Sequence, residues 1–378
     1  MTDAPLPESD RHDGAPHPRD TAMLFGQDAA QDAFLSAYGA NRIPHAWLLT
    51  GPQGVGKATF AWRAAKFLLA TPTQDEGGDL WGDTPTPLTT MDIDPDHPVA
   101  HRIRALSEPG LCLLRRPWDE KAKRLKTQVT VDEVRALKSF FALSAGGNGR
   151  RVVILDSADE MNTSAANALL KELEEPPKHT VLFLVSHRPL GLLPTIRSRC
   201  RTLRFAPLGD APLAHALRQA GHPPPDTSDA MGALALLAGG SVGAALGLMR
   251  LDGLTLYADL VAIVRSFPRL DRPLALRLAE TAGGKSTDRF DLTLILLDQM
   301  LARLAHWGSV GPMPEITPGE GAAFARLSST PAAGRAWADL AASLTAKARR
   351  GKAVNLDPAA LVFDMFLECD RMAARLLV

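Results

Sequence analysis

The chain has 378 residues, and at about 150 residues per domain this length favours two or three domains. Lysine and arginine total 42, as do aspartate and glutamate, so the formal net charge is zero, which argues against a protein that coats nucleic acid by bulk positive charge. Hydrophobic residues make up 46% and charged residues 22%, a composition that excludes a wholly disordered chain. Three cysteines form neither a CxxC pair nor a disulfide framework, and they predict a reducing, cytoplasmic environment: Cys112, Cys200 and Cys369.

The N-terminal residues 1–20 mix acids, bases and prolines without an apolar segment. This composition predicts a mobile tail and not a signal peptide. Residues 230–249 carry no charge and are long enough to span a bilayer, but Gly239-Gly240 interrupts them. We interpret them as two short buried helices joined by a tight turn, and we predict no membrane association.

A strand, a glycine-rich loop and a helix follow in order after the tail. Residues 28–38 predict an amphipathic helix, residues 47–50 a short buried strand, and residues 58–70 a helix with apolar side chains at helical spacing. The loop between the strand and the second helix reads Gly51-Pro52-Gln53-Gly54-Val55-Gly56-Lys57-Ala58. This order is the one in which a phosphate-binding loop is built.

The loop matches GxxxxGK and then departs from the pattern. Gly51, Gly54 and Gly56 let backbone N–H groups approach phosphate oxygens, and Lys57 can reach the β- and γ-phosphates. The next residue should offer a hydroxyl to Mg²⁺, but it is Ala58. Thr59 lies about 100° further around the helix, so it can replace this ligand only with distortion.

The middle of the chain continues the alternation of helices and strands. Residues 71–98 are rich in Pro, Thr, Gly and Asp and predict a long surface connection, in which His97 and His101 lack helical periodicity and predict no metal site. The next predicted elements are a strand at 111–114, a basic solvated loop at 115–126 and a helix at 131–143 opened by the capping box Thr130 to Glu133. Contact of the basic loop with DNA phosphates is the less favoured alternative.

A second site element is an acid at the end of an apolar strand. Residues 151–156 end in Asp156, where a P-loop ATPase keeps the acid that holds Mg²⁺. Ser157 follows where many such enzymes place a glutamate, and a serine hydroxyl is a poor general base. Ala58 and Ser157 affect the same reaction, so we predict no ATP turnover, while ATP or ADP binding and no binding at all both stay open.

The remaining pattern indicates an α/β layer followed by helices. Further predicted elements are a helix at 162–174, a strand at 181–185, a short helix at 192–199 and a strand at 202–205. Strands alternating with helices predict a parallel sheet. Beyond residue 207 Ala- and Leu-rich helical stretches dominate, with a loop at 308–320. We predict four regions: a tail at 1–20, an α/β domain at 21–206, a small helical lid at 207–250 and a helical domain at 251–378.

Two motifs resemble those of the AAA+ clamp-loader subunits of bacterial DNA polymerase III. Residues 165–177 read AANALLKELEEPP, and Ser198-Arg199-Cys200 follows them. The resemblance covers about residues 21–206. In that family the motor subunits, gamma and tau, keep a complete phosphate loop and an Asp-Glu pair. Another kind of subunit loses these residues but keeps the SRC motif, and this sequence is similar to the second kind.

The resemblance implies a P-loop AAA+ fold with a helical lid and a helical collar, and it implies roles for particular residues. Arg199 would complete the ATP site of a neighbouring subunit, and Ser186 and His187 would lie at a sensor position. Gly243 stands where motor subunits carry a nucleotide-sensing arginine, and Cys112 alone falls where the family commonly has a four-cysteine zinc module, so we predict no zinc. The implied partners are the delta and gamma/tau subunits and, through the complex, the sliding clamp and primed DNA. The alternative is an active motor in which Thr59 or a water replaces the lost ligand.

Overall fold

The computed structural model describes residues 7–71, 90–142, 149–283 and 287–377. Its seven strands are β1 (Ala46–Thr50), β2 (Leu111–Arg115), β3 (Trp118–Asp119), β4 (Arg124–Leu125), β5 (Arg151–Asp156), β6 (Thr180–Ser186) and β7 (Arg201–Arg204). The α-helices among the described residues are α1 (Asp28–Gly39), α2 (Lys57–Ala70), α3 (Pro98–Arg104), α4 (Val131–Ala142), α5 (Thr163–Glu174), α6 (Pro194–Arg197), α7 (Asp210–Gln219), α8 (Ser228–Ala238), α9 (Val242–Arg250), α10 (Gly253–Ser266), α11 (Arg272–Ala282), α12 (Thr287–Ser309), α13 (Glu320–Leu327), α14 (Pro331–Ala353) and α15 (Pro358–Leu376).

Five of the strands form one parallel sheet in the order β2-β5-β6-β1-β7. The predicted fold class is therefore confirmed: a parallel sheet flanked by helices, followed by a helical region. Thr50 pairs in register with Ser186, and Asp156 pairs with Val185. Because the carboxyl ends of parallel strands meet at one edge, the loop after β1, Asp156 and His187 come together there.

The two faces of the sheet carry different cores. One face, covered by α1 and α2, is rich in aromatic side chains, with Phe34 in contact with the rings of Trp47, Phe60, Phe67 and Phe183. The other face, covered by α4, α5 and α6, is aliphatic. Each fully buried apolar side chain of this size contributes about 1.5–3 kcal/mol, so both faces hold the strand ends in place.

The helix boundaries on the aliphatic face follow local sequence signals. Asn162 accepts a hydrogen bond from Ala165 N at 2.8 Å and so caps α5. Glu133 accepts one from Thr130 N at 2.8 Å, which is the reciprocal half of the predicted capping box before α4. The proline pair after Glu175 cannot continue a helix, and α5 ends at Glu174.

The structure departs from the sequence prediction before β2 and after it. Pro98–Arg104 is a helix, although the periodicity around His97 and His101 predicted none. His97 caps it by accepting from Val99 N at 3.2 Å, and a first-position proline suits a helix start. The basic segment predicted as a loop contains the two-stranded antiparallel pair β3–β4. Most of the predicted 71–98 connection, residues 72–89, lies outside the described residues.

Residues 7–20, which the composition predicts to be a mobile tail, pack against the α/β domain in the structure. His17 is 2% exposed, and its ring meets Trp62 edge-on with centroids 5.6 Å apart. A single 3-10 turn follows at Pro18–Asp20. The composition predicted mobility because this segment is polar and rich in proline. Its burial comes from contacts with residues that are distant in the sequence. We call residues 8–20 the N-terminal strap.

Contacts divide the chain into two compact units, Met1–Pro223 with Ser241–Gly243 and Pro224–Gly240 with Ala244–Val378. The first unit thus includes α7, beyond the predicted boundary at residue 206. The predicted division into lid and collar at residue 250 stays a prediction. Within the second unit Tyr257 donates a 2.5 Å hydrogen bond to the buried Glu320, which also pairs with Arg303 at 2.8 Å.

The uncharged stretch at 230–249 consists of α8 and α9, separated at the predicted glycine break. Gly239 ends α8 in the left-handed region, with φ at 57°. Among the described residues no single helix is long and apolar enough to cross a membrane, whereas α8 and α9 together meet that length and composition with a bend of 115°.

Candidate nucleotide cleft and arginine corner

The phosphate loop joins β1 to α2 at the carboxyl edge of the sheet. Gly51, Gly54 and Gly56 all have positive φ values, of 148°, 78° and 103°. At Gly54 a Cβ atom would lie 2.2 Å from Ser241 Oγ, so the close packing of the loop requires glycine. The sequence pattern and the backbone agree on a loop of the phosphate-binding type.

Lys57 begins α2 and folds back onto its own loop. The ammonium donates to Gly51 O at 2.7 Å and also to Pro52 O. The residue is 2% exposed, and burial lowers the pKa of its side chain to about 8, against a smaller opposing effect of Asp156. Lys57 therefore stays mostly charged at neutral pH, with loop carbonyls as its partners.

Asp156, Ser157 and His187 form a connected polar group at the same edge. Ser157 Oγ donates to Asp156 Oδ1 at 3.0 Å and lies 3.0 Å from His187 Nε2. Burial, reinforced by the charge of Asp10, raises the pKa of Asp156 to about 7. Burial, reinforced by Lys57, lowers the pKa of His187 to about 4, so its imidazole is neutral at pH 7.

These residues do not fit a hydrolytic magnesium–nucleotide site. Ala58 lines the cavity and brings no oxygen, while Asp156 is held by Ser157 and is partly protonated at neutral pH. Magnesium prefers ionised carboxylate and hydroxyl oxygens. Ser157, which stands where many such enzymes place a glutamate, is itself engaged by Asp156 and His187, and a hydroxyl is a poor general base.

The cavity brings together almost all of the predicted cleft residues. Its volume is about 230 Å³, and Thr59, His187 and Gly243 line it together with Gly54, Gly56, Lys57 and Asp156. Thr59 therefore lines the cleft, although its position on the helix made it an unfavourable replacement for the lost magnesium ligand. Gly243, at the position of the motor subunits' arginine, brings only backbone to the wall. The roles assigned to these residues stay predictions.

Sequence reasoning missed one wall of the cavity, which the N-terminal strap supplies. Ser9, Asp10, Arg11 and His12 line it opposite the phosphate loop. The residues carried no catalytic or binding motif. The sequence signal that could have indicated an ordered segment is His17-Pro18, a capping residue followed by a first-position proline.

Arg199 lies at a different place, just after the short helix α6. Its side chain is 35% exposed, and its Nη2 is 2.7 Å from Oε1 of Glu174, at the end of α5. Its Nη1 also donates to Thr195 O at 3.0 Å. Ile196, fully buried in the aliphatic core, anchors the turn that presents Arg199. The structure therefore keeps this guanidinium at the surface and outside the cavity wall.

Known proteins with similar sequences match the part of the chain that forms the sheet domain. A family model described as DNA polymerase III, delta subunit, matches residues 26–209. The DNA polymerase III subunit delta′ of Pseudomonas aeruginosa is 39% identical over 204 residues, which are 52% of this chain and 53% of that protein. Over this region the chain is similar to delta′ subunits of DNA polymerase III. The delta′ subunit of Escherichia coli is 31% identical over 222 residues, 58% of this chain and 59% of that protein.

Gamma/tau proteins are similar to the same region. The DNA polymerase III subunit gamma/tau of Mycobacterium bovis is 29% identical over 196 residues, 50% of this chain and 29% of that protein. The chain spans about half the length of the delta′ relatives it matches. The identities to the two delta′ subunits, 39% and 31%, are higher than the 29% identity to gamma/tau.

Proposed function

We propose that this chain is the delta prime subunit of a DNA polymerase III clamp loader, a non-hydrolysing member that acts on a neighbour's ATP site. The proposal rests on two features that occur together in this domain. Arg199 lies at the surface, and the cleft lacks a hydroxyl for Mg²⁺ at Ala58 and a carboxylate base at Ser157. An arginine supplied in trans stabilises the charge of phosphoryl transfer and accelerates it by roughly 10³–10⁵. A subunit can do this without hydrolysing ATP itself.

The proposed partners follow from the similarity to delta′ and gamma/tau subunits. The delta and gamma/tau subunits would form the complex with this chain in the cytoplasm, and the complex would open the sliding clamp and place it on primed DNA during replication. The helices of the second unit would contribute to a collar. No bound nucleotide is required for this role, and any ATP or ADP in the cleft would stay uncleaved.

The test is a reconstituted complex of delta, gamma/tau and this chain, assayed for ATPase and clamp loading. Arg199→Ala should lower both activities while the complex still assembles on a sizing column. Lys57→Ala is the matched control, since it removes a cation of the same domain from the cleft, and it should leave turnover unchanged. An unchanged rate with Arg199→Ala would contradict the role in trans.

The alternative function is an active gamma/tau-like motor. The position of Thr59 in the cavity wall and the similarity to gamma/tau proteins favour it. In that case Lys57→Ala would remove this subunit's share of ATP turnover, and the purified chain would hydrolyse ATP alone. These outcomes separate the two functions in the same set of assays.

A further inference from the structure

The N-terminal strap covers the cleft, and several independent contacts hold it there. Glu8 Oε1 is 2.8 Å from Arg19 Nη1 within the strap and 3.1 Å from Arg115 Nη1 at the end of β2. Asp10 also pairs with Arg115, and its Oδ2 lies 3.1 Å from His17 Nε2. A segment tied by buried carboxylates to the sheet is an element of the fold and not a loose terminus.

Two further contacts hold the strap, at Gly14 and at His12. His222 Nε2 lies 2.8 Å from Gly14 O. His12 lies so close to Gly243 that a Cβ there would be 2.6 Å from His12 Cδ2. The space next to Gly243 is therefore already taken by the imidazole of His12, and a longer side chain at 243 would have to displace this ring.

The strap leaves too little room for a nucleotide beside the phosphate loop. The cavity that remains is about 230 Å³, below the roughly 300–1,000 Å³ of small-molecule sites. The side chain of Asp10 is completely buried and lines the same cavity as Asp156 and Lys57. The strap therefore occupies space beside the phosphate loop, and this loss of space opposes a nucleotide.

We propose that the N-terminal strap is a built-in cover of the phosphate-loop cleft that excludes nucleotide. It precedes residues 26–209, the segment that the family model matches. A nucleotide binds only the fraction of molecules in which the strap is displaced, and its apparent affinity falls by that fraction. This inference concerns the cleft of the isolated chain and does not depend on the role proposed for Arg199.

The experiment measures binding of mant-ADP, a fluorescent ADP, to the full-length chain. The variant Glu8→Lys/Asp10→Lys places cations against Arg19 and Arg115 and should release the strap. We expect mant-ADP to bind at least about tenfold more tightly than to the unchanged chain, because removal of the cover removes this penalty. Hydrogen exchange at residues 8–20 reports whether the strap has left.

Two controls separate the cover from general effects. Glu120→Lys/Asp132→Lys makes the same charge change at exposed positions outside the cavity wall and should not increase binding. Adding Lys57→Ala to the strap variant should abolish the gained binding, which assigns it to the phosphate loop. A gain that survives Lys57→Ala would overturn the proposal.

Two further outcomes would also refute the proposal. If the strap exchanges freely in the double variant but mant-ADP binding does not improve, the loop alone excludes nucleotide and the cover is not its cause. If exchange shows the strap still in place, a chain beginning at residue 21 repeats the measurement. A folded truncated chain that binds no better than the unchanged protein would likewise refute the cover.

Discussion

The nucleotide cleft and the Arg199 corner belong to the same sheet domain but differ in how they face solvent. In the cleft Lys57 is 2% exposed, and its ammonium donates a hydrogen bond to Gly51 O. At the corner Arg199 is 35% exposed and pairs with Glu174, which is 49% exposed. A buried polar group that loses its hydrogen-bond partner costs free energy of desolvation. An exposed ion pair can exchange one partner for another with little change in free energy. The ion pair at the corner can therefore be exchanged more easily than the contacts inside the cleft.

The two regions also rest on different cores. α2, which begins at Lys57, packs on the aromatic face of the sheet, and the turn before Arg199 is anchored on the aliphatic face. Substitutions on one face should therefore leave the other largely unaffected, since effects at sites without shared partners are nearly additive.

The largest effect is expected at the corner. Arg199→Lys in the reconstituted complex keeps the positive charge but removes the planar fork that pairs bidentately with phosphate oxygens. We expect turnover at the neighbouring ATP site to fall roughly 10³-fold, close to the loss with Arg199→Ala. Single-turnover ATP hydrolysis measures it. A lysine variant with the original rate would show that the corner supplies charge alone.

A smaller effect is expected in the cleft and depends on pH. The pKa of Asp156 is raised to about 7 by burial and by Asp10, so the folded chain holds a proton that the unfolded chain releases above about pH 4. This contribution to stability is present at low pH and is lost as pH rises through 7. The groups that act on Asp156 are Asp10, Ser157, Glu160 and Lys57.

Asp156→Asn removes this titration, so its free energy of unfolding should rise relative to the unchanged protein between pH 4 and 7. The gain should level off above pH 7, at no more than about 4 kcal/mol. Urea denaturation at pH 5 and pH 8 measures it. Asp132→Asn, on the exposed side of α4, serves as the control. A difference that does not change with pH would mean that Asp156 is ionised throughout, and the cleft would then be more polar than the structure indicates.

The smallest effect is expected for the partner of Arg199. Glu174→Gln removes the charge from an exposed pair, and such pairs contribute less than about 1 kcal/mol. Thermal unfolding should hardly distinguish it from Glu175→Gln, the exposed neighbour. A loss of several kcal/mol would show that the corner is as rigidly held as the cleft, and the comparison between the two regions would fail.

Local patterns predicted much of the fold. The strand at 151–156 has the predicted bounds, and the helix after Thr130 begins where its capping box indicated. The helix at Pro98–Arg104 was missed because only seven residues form it and its cap is a histidine, which side-chain patterns seldom reveal. Hydrophobic periodicity needs longer segments than that.

The candidate site also combines features that the sequence predicted with features that it could not predict. The glycine loop, the absent hydroxyl at Ala58, the serine at 157 and the SRC motif are properties of single positions, and the sequence by itself determined them. Whether the cleft is open depends on Asp10 meeting Arg115, 105 positions along the chain, and on Gly14 meeting His222, 208 positions away. Such contacts arise only when the sheet has brought distant segments together. No local preference encodes them, so only the tertiary structure decided that a polar, proline-rich segment lies over the cleft while Arg199 remains at the surface.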